Sequence, residues 1–290
     1  MRLGITMFAT DHTMPPHELA IAAEERGFAS LYLPEHTHIP TSRLTPAAAT
    51  PETTGAGEAR FLRGTSGDET LHESYARSLD PFVALAGAAA VTATLTLGTG
   101  VALMAQREPI VTAKAAATLH HLSGGRFVLG VGYGWNREEA AGHGVVWQER
   151  RALVRERVLT MRSLWRDEVA SFEGEHVRLA PSWAWPKGDI PVLFGGGAGP
   201  RLFAAIADHG DGWMPIGGAG LTEALPRLAA AYETAGRDPS TAVVIPFGTL
   251  PTPGKLDHFA SLGIRETVLR VTAADRDTVL RELDAHTRYL

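Results

Sequence analysis

Strand-like and helix-like segments alternate along the whole of this chain, and this alternation restricts its fold more than any other feature. Short apolar runs predict strands, and a longer segment with helical spacing follows each of them. The predicted strands span residues 3–8, 30–34, 95–102, 126–132, 191–194, 211–216, 242–247 and 266–271. The predicted helices span residues 16–26, 80–91, 109–122, 150–166, 200–208, 222–235, 256–262 and 277–289.

Eight strand–helix units in one chain indicate the α/β class, in which two architectures show this order. A doubly wound open sheet usually carries a glycine-rich dinucleotide turn after its first strand. Here the corresponding residues are Phe8-Ala9-Thr10-Asp11, which contain no glycine. We therefore predict a single (β/α)8 TIM-barrel domain over residues 1–290.

Two segments lie outside the repeating units. Residues 37–79 form a long connection after strand two, rich in Ala, Thr, Pro and Gly, and loops of this length are usually functional. We expect this loop to act as a substrate lid. Residues 172–177 predict a small hairpin, inserted before strand five, that turns at Glu173-Gly174.

Composition excludes several classes of protein. The formal net charge of −5 argues against a nucleic-acid-binding domain. The chain has no cysteine, which excludes disulfides, thiolate nucleophiles and cysteine-ligated metals. The short apolar run before Asp11 does not have the form of a secretion signal, so we expect a cytoplasmic protein.

One uncharged stretch, residues 82–105, is long enough to cross a bilayer. However, threonine and glycine alternate with Leu95, Leu97 and Val101 in its second half, which is the two-residue period of a strand. We interpret it as an alanine-rich helix followed by a buried strand, and we predict no membrane span.

The end of strand two carries Glu35, His36 and His38. In a barrel, chemistry is concentrated at the carboxyl ends of the strands. Glu35 beside His36 can serve as an acid/base pair, and His36 with His38 can alternatively provide two metal ligands. A polar surface loop without function is the third interpretation, and the residues alone leave the three open.

Glycines mark the ends of three further strands. Gly98 and Gly100 lie inside strand three, where either a close flat ligand or tight barrel packing requires them. Gly130, Gly132 and Gly134 follow strand four, where they form either an anion cradle or a tight turn. After strand five, Gly195-Gly196-Gly197-Ala198-Gly199 precedes a helix that begins at Pro200, which is the strongest phosphate-type signal in the chain. A flexible loop is the alternative there.

Together these motifs resemble the luciferase-like monooxygenase superfamily. The resemblance rests on Glu24, Gly27-Phe28, Leu31, Glu35-His36, Asp80-Pro81, Leu97-Gly98-Thr99-Gly100-Val101, Arg107, Pro109, Ala113-Lys114, Leu122-Ser123, Gly125-Arg126, Leu129-Gly130, Gly132, Gly134-Trp135, Gly195-Gly196-Gly197 and Asp211-Gly212-Trp213. Within that superfamily the chain is most similar to the branch that uses the deazaflavin coenzyme F420 rather than FMN.

The resemblance implies a flavin-like ring across the mouth of the barrel. It places a non-proline cis peptide against the ring at Gly100–Val101 and assigns cofactor binding to Gly132, Tyr133, Gly134, Trp135, Gly195, Gly196 and Gly197. It makes His36 the acid/base or ring-orienting residue, with Glu35 setting its tautomer.

One departure concerns the substrate. The sugar-phosphate dehydrogenases of this branch carry a glutamate where this chain has Trp135, and an aspartate where it has Glu35. The resemblance therefore implies a different small organic substrate. Met104, Tyr133, Trp183 and Trp185, with Trp135, indicate a mouth that accepts hydrophobic molecules.

We predict an F420-dependent oxidoreductase that transfers hydride between the cofactor and this substrate. The alternatives are an FMN-dependent monooxygenase, a non-catalytic flavin-binding protein and a metal-dependent hydrolase using His36 and His38. The resemblance also implies a homodimer, in which the alanine-rich helices at residues 81–90 and 112–122 pack across a two-fold axis.

Overall fold

The structure is a computed structural model that describes residues 1–46, 61–63 and 70–290. In chain order its strands are β1 (Arg2–Thr6), β2 (Ser30–Leu33), β3 (Phe61–Arg63), β4 (Thr70–His72), β5 (Thr96–Thr99), β6 (Ala102–Leu103), β7 (Phe127–Gly132), β8 (Ala170–Glu173), β9 (Arg178–Ser182), β10 (Val192–Gly195), β11 (Gly212–Met214), β12 (Val243–Val244) and β13 (Glu266–Arg270). Its α-helices are α1 (Pro16–Glu25), α2 (Ser74–Arg77), α3 (Pro81–Val91), α4 (Pro109–Leu122), α5 (Arg137–Gly142), α6 (Arg150–Arg166), α7 (Pro200–His209), α8 (Leu221–Thr234), α9 (Pro253–Ser261) and α10 (Arg276–His286).

Eight parallel strands form a nearly closed barrel in the order β12-β11-β10-β7-β5-β2-β1-β13. The two end strands meet through a parallel bridge between Thr249 and Leu269, and the Thr249 amide donates to the Val268 carbonyl at 2.9 Å. Helices surround the barrel, so the predicted (β/α)8 architecture is confirmed. The predicted hairpin is also present as β8 and β9, with the Gly174 amide bonded to the Val177 carbonyl.

Three differences from the predicted elements bear on function. Strand three is interrupted at Gly100–Val101 and continues as β6, which pairs with β7. The antiparallel pair β3–β4 and helix α2 lie within the long loop, whose residues 47–60 and 64–69 are outside the described part of the chain. Helix α5 was not predicted, because it has only six residues.

The inside of the barrel is filled by large apolar side chains. Tyr32, Leu193, Met214, Ile245 and Val268 pack together there. A Cβ atom on Gly98 would lie 2.3 Å from Cε1 of Tyr32, so packing requires this glycine. For Gly98 the packing interpretation is therefore the one that the structure supports.

Helix caps and the half-buried carboxylate of Glu24 stabilise the layer of helices around the barrel. Asp80 caps α3 by accepting the amides of Phe82 and Val83, as its position before Pro81 predicts. Glu24 on α1 is half-buried and is held by backbone hydrogen bonds. Its carboxylate accepts the amides of Ala93, Thr94 and Leu95, and so fastens α1 to the turn before β5. Within the described residues, no helix has the length and apolarity needed to cross a membrane.

Candidate active site

The carboxyl ends of the barrel strands bring the predicted site residues to one mouth. His36 follows β2, the Gly100–Val101 bond follows β5, Tyr133 follows β7 and Gly196 follows β10. All of these strands are parallel, so their carboxyl ends open on the same side. The mouth therefore combines an imidazole, a distorted strand and two glycine-rich turns.

His36 forms a buried pair with a carboxylate that the sequence did not suggest. Its Nδ1 lies 2.9 Å from Oε2 of Glu139, whose other oxygen accepts the amide of Thr37 at 3.2 Å. The two side chains are only 6% and 1% exposed. The imidazole ring lies 5.1 Å from the ring of Tyr75 and 5.8 Å, edge-on, from that of Trp135. Nε2 of His36 has no hydrogen-bond partner among the described residues, so it remains available for proton transfer.

Glu35 was assigned the role of setting the His36 tautomer, and this assignment is wrong. Its buried carboxylate accepts the Leu103 amide at 2.7 Å and Nε of Arg107 at 2.6 Å. Arg107 also contacts Asp80. Burial alone would lower the pKa of Arg107, but the two carboxylates outweigh it and raise that pKa. Glu35 therefore ties the end of β2 to the segment after β6.

Helix α5 positions the carboxylate that His36 uses. Oδ1 of Asn136 caps the helix by accepting the amides of Glu138 and Glu139. Glu138 then binds the amide of Leu44 at 2.9 Å and Oγ1 of Thr45 at 2.6 Å. One short helix thus holds both the histidine and the start of the long loop. The Asn136-x-x-Glu139 spacing, typical of a helix start, was the signal that sequence reasoning missed.

The peptide bond between Gly100 and Val101 is cis, as the resemblance implied. A Cβ atom on Gly100 would lie 2.3 Å from Cζ of Phe247. The Val101 side chain packs between two other glycines, because a Cβ on Gly132 or Gly195 would lie 2.5 Å or 2.9 Å from its methyl groups. These three glycines are therefore required by packing around the cis bond.

The turn after β7 forms one wall of the mouth. Gly134 has a φ of 76°, a left-handed conformation that favours glycine, and a Cβ there would lie 3.7 Å from Nε2 of Gln106. Tyr133 is partly buried, with its ring 5.8 Å from that of Phe194. Trp135 places its indole beside His36. The turn thus connects the histidine side of the mouth to strand β10.

The loop after β10 is open to an anion. A Cβ on Gly197 would meet no atom within 4 Å, so space surrounds this residue. The amides of Gly197 and Ala198 donate to no acceptor in the described part of the chain, and α7 begins at Pro200. Nε1 of Trp213 donates a hydrogen bond to the Gly196 carbonyl at 2.8 Å, which holds the start of the loop. Free amides at a helix start suit a phosphate.

Three of the hydrophobic residues expected at the mouth do not offer an accessible surface there. Met104 is completely buried. Trp183 and Trp185 are 73% and 55% exposed, and the Trp185 carbonyl accepts Nζ of Lys114 on helix α4. The two tryptophans thus lie against the outer helix α4, and of the five residues expected at the mouth Tyr133 and Trp135 are the two found beside the candidate site.

The proposed histidine ligands do not form a metal cluster. His36 uses Nδ1 for Glu139, and Nδ1 of His38 lies 3.1 Å from Oγ1 of Thr37. The described residues contain no group of three or more His, Cys, Asp or Glu side chains that could hold a metal ion. Nothing in this arrangement supports the metal-dependent hydrolase.

Residues 17–252 match the model of the luciferase-like monooxygenase family. The chain therefore belongs to this family, as its motifs predicted, and its class is that of the oxidoreductases. An uncharacterised protein of Mycobacterium tuberculosis is 40% identical over 273 residues, covering 92% of this chain and 91% of the relative.

Two solved structures share the fold at low sequence identity. Monooxygenase RslO1 from Streptomyces bottropensis superposes with a TM-score of 0.74 at 20% sequence identity. The match covers 100% of this chain and 98% of the RslO1 chain. An F420-dependent secondary alcohol dehydrogenase in complex with an F420–acetone adduct has a TM-score of 0.73 at 19% identity, with the same coverage.

Proposed function

We propose that this protein is an F420-dependent oxidoreductase that transfers hydride between the deazaflavin and a small organic substrate. The observation that carries the proposal is the buried His36–Glu139 pair, which lies at the same mouth of the barrel as the cis Gly100–Val101 bond. Bound F420 supplies or accepts the hydride, while the protein provides binding and proton transfer. The similarity in fold to an F420-dependent secondary alcohol dehydrogenase supports the choice of cofactor and suggests an alcohol or ketone as substrate.

His36 acts as the general acid and base in this proposal. When its Nδ1–H is donated to Glu139, the lone pair of the neutral ring lies on Nε2. Nε2 then accepts the hydroxyl proton of an alcohol during oxidation and returns it to the carbonyl oxygen during reduction. Glu139 keeps the ring in this tautomer and stabilises the imidazolium, as a carboxylate does in a catalytic triad.

The remaining predicted residues hold the cofactor. Gly197 and Ala198 offer free amides to its phosphate, and Tyr133 and Trp135 enclose the ring side of the mouth. Close packing against Gly132 and Gly195 confines the Val101 side chain, and the flat ring would lie against this segment. The residues present fit a flavin-like group with a phosphate, and F420 and FMN share that feature.

Titration of the apoprotein tests the proposal. Tryptophan emission is followed as F420 or FMN is added, and turnover is then measured with a panel of secondary alcohols and ketones. We expect binding of F420, and we expect His36→Ala to retain F420 affinity but lose about 10²-fold or more in turnover. His17→Gln, a change at an exposed position on α1, serves as the control. Binding of FMN without F420 would reject the proposal in favour of a monooxygenase, and bound F420 that no substrate reduces or oxidises would favour a storage role.

We also propose that the protein is a homodimer formed through α3 and α4. Helix α3 contains no charged residue over Pro81–Val91, yet one of its faces is exposed. Val83 on α3 is 75% exposed and Val111 on α4 is 68% exposed. A helix without a polar face is usually covered, and the small residues Gly87 and Ala90 allow a second helix to approach.

A further inference from the structure

Three arginines gather around two aromatic rings at the rim of the barrel. Arg150 and Arg151 begin helix α6, and Arg137 begins helix α5. The guanidinium carbon of Arg151 lies 4.4 Å from the centre of the Tyr133 ring. Those of Arg150 and Arg137 lie 3.7 Å and 5.3 Å from the centre of the Trp147 ring.

No carboxylate of the described residues pairs with this arginine cluster. Within the described part of the chain, none of Arg137, Arg150 and Arg151 forms an ion pair, whereas Arg155 one turn further along α6 pairs with Asp208. Arg150 donates to the Trp147 carbonyl, and its buried Nε has no partner. Burial lowers the pKa of Arg150, and the two neighbouring arginines lower it further.

The arrangement carries an electrostatic cost. Positive side chains in the first turn of a helix oppose its dipole, and α6 carries two of them with no acidic residue in that turn. Mutual repulsion among three guanidinium groups adds to the cost. Guanidinium groups held together without a carboxylate partner are suited to an anionic ligand, and guanidinium binds carboxylates and phosphates with two parallel hydrogen bonds.

The arginine cluster is continuous with the candidate active site. Tyr133, which lies under Arg151, is in contact with Phe194, the residue before Gly195. The free amides of Gly197 and Ala198 lie in the loop that Gly195 begins. A ligand whose phosphate occupies that loop can extend over Tyr133 to the arginines.

We propose that Arg137, Arg150 and Arg151 form a binding site for a chain bearing two or more carboxylate or phosphate groups. If the proposed function holds, this chain is the oligoglutamate tail of F420, which FMN lacks. The cluster then selects the cofactor through its tail, at a distance from the ring. The identity of the ligand rests on the proposed function, and the anion site itself does not.

The test compares two molecules that have the same deazaflavin ring, one with the anionic tail and one without it. F420 and its tail-less precursor, the deazaflavin riboside without phosphate or glutamates, are titrated into wild-type protein, Arg151→Gln and the triple variant Arg137→Gln/Arg150→Gln/Arg151→Gln. Ionic strength is kept near 10 mM, where screening is weak. The double variant Arg178→Gln/Arg281→Gln removes two exposed arginines outside the cluster and serves as the charge control.

We expect the Kd for F420 to rise about tenfold in Arg151→Gln and further in the triple variant, as loss of charged hydrogen bonds predicts. The Kd for the tail-less riboside stays within about twofold, because the ring site is unchanged. The melting temperature of Arg151→Gln without ligand is equal to or above that of wild type, since repulsion is relieved. Equal weakening of both cofactors, or no weakening of F420, would overturn the anion site.

A further measurement distinguishes failure of the anion site from failure of the proposed function. If wild type binds neither deazaflavin, the proposed function fails, and inorganic pyrophosphate is then used as the probe. A rise in melting temperature with pyrophosphate in wild type and the charge control, but not in Arg151→Gln or the triple variant, would support the anion site by itself. A rise of the same size in all of the proteins, or no rise in wild type, would reject it.

Discussion

Nδ1 of His36 lies 2.9 Å from Oε2 of Glu139, although 103 positions separate the two residues in the chain. Strand β5 lies between β2 and β7 in the barrel, so α5 after β7 must reach across the end of β5 to meet the histidine. The cis Gly100–Val101 bond directly follows β5, the strand between those that carry the two residues. The buried pair therefore links the ends of β2 and β7, the two strands on either side of β5.

The first prediction concerns Glu139. Glu139→Gln keeps the volume but removes the charge that stabilises a protonated His36, so we expect turnover to fall by about 10²-fold with little change in F420 affinity. Steady-state kinetics and fluorescence titration measure the two quantities. Glu138→Gln is the matched control on the same helix turn. Because Glu138 binds Leu44 and Thr45, we expect that control to change KM more than kcat. Parallel loss of cofactor affinity and turnover in Glu139→Gln would contradict the role of Glu139.

The second prediction compares two glycines of the candidate site. A methyl group on Gly132 would lie 2.5 Å from Val101, whereas one on Gly197 would meet nothing within 4 Å. Gly132→Ala should therefore lower the free energy of unfolding by about 1–3 kcal/mol, as overpacking does, and weaken cofactor binding. Gly197→Ala should leave unfolding unchanged to within about 0.5 kcal/mol. Chemical denaturation measures both, and equal stability of the two variants would show that Val101 is not confined.

Much of the architecture was predictable, because each barrel strand and helix has a local period and local caps. The pairing of Glu35 with His36 was wrong for a local reason as well. At the end of a strand, the side chains of neighbouring residues project in opposite directions. Glu35 therefore binds Arg107, whereas His36 binds Glu139. Glu139 itself was missed because its helix is too short to show a period and its contact is distant in sequence.

The third prediction follows from the pKa of Glu24. Burial raises that pKa, but hydrogen bonds from Thr94, Ala93 and Leu95 outweigh burial and lower it from 4.5 to about 2. A group with a lowered pKa in the folded state stabilises the protein above its unfolded pKa, and this contribution is lost as pH falls from about 4.5 towards 2. Wild type should therefore exceed Glu24→Gln in stability at pH 7, and the difference should shrink by pH 3.

Urea denaturation at the two pH values measures this difference. Glu25→Gln, a change at the neighbouring exposed position, is the control and should show no such pH dependence. Glu24→Ala also removes the acceptor for three amides, so we expect a cost of about 1–3 kcal/mol at pH 7. A gap between wild type and Glu24→Gln that stays constant from pH 7 to pH 3 would mean that the Glu24 charge does not stabilise the fold.

The last prediction concerns the exposed apolar faces of α3 and α4. Val83→Asp and Val111→Asp each place a charge on a face that the proposed homodimer covers, where an unpaired buried carboxylate is strongly unfavourable. Sedimentation equilibrium of wild type at about 10 μM, a concentration at which a stable interface remains associated, should give a dimer, and each variant should give a monomer. Val169→Asp changes a valine that is 50% exposed near β8, outside these helices, and should remain dimeric. A monomeric wild type would reject the dimer, and dimeric Val83→Asp and Val111→Asp would place the interface elsewhere on the barrel.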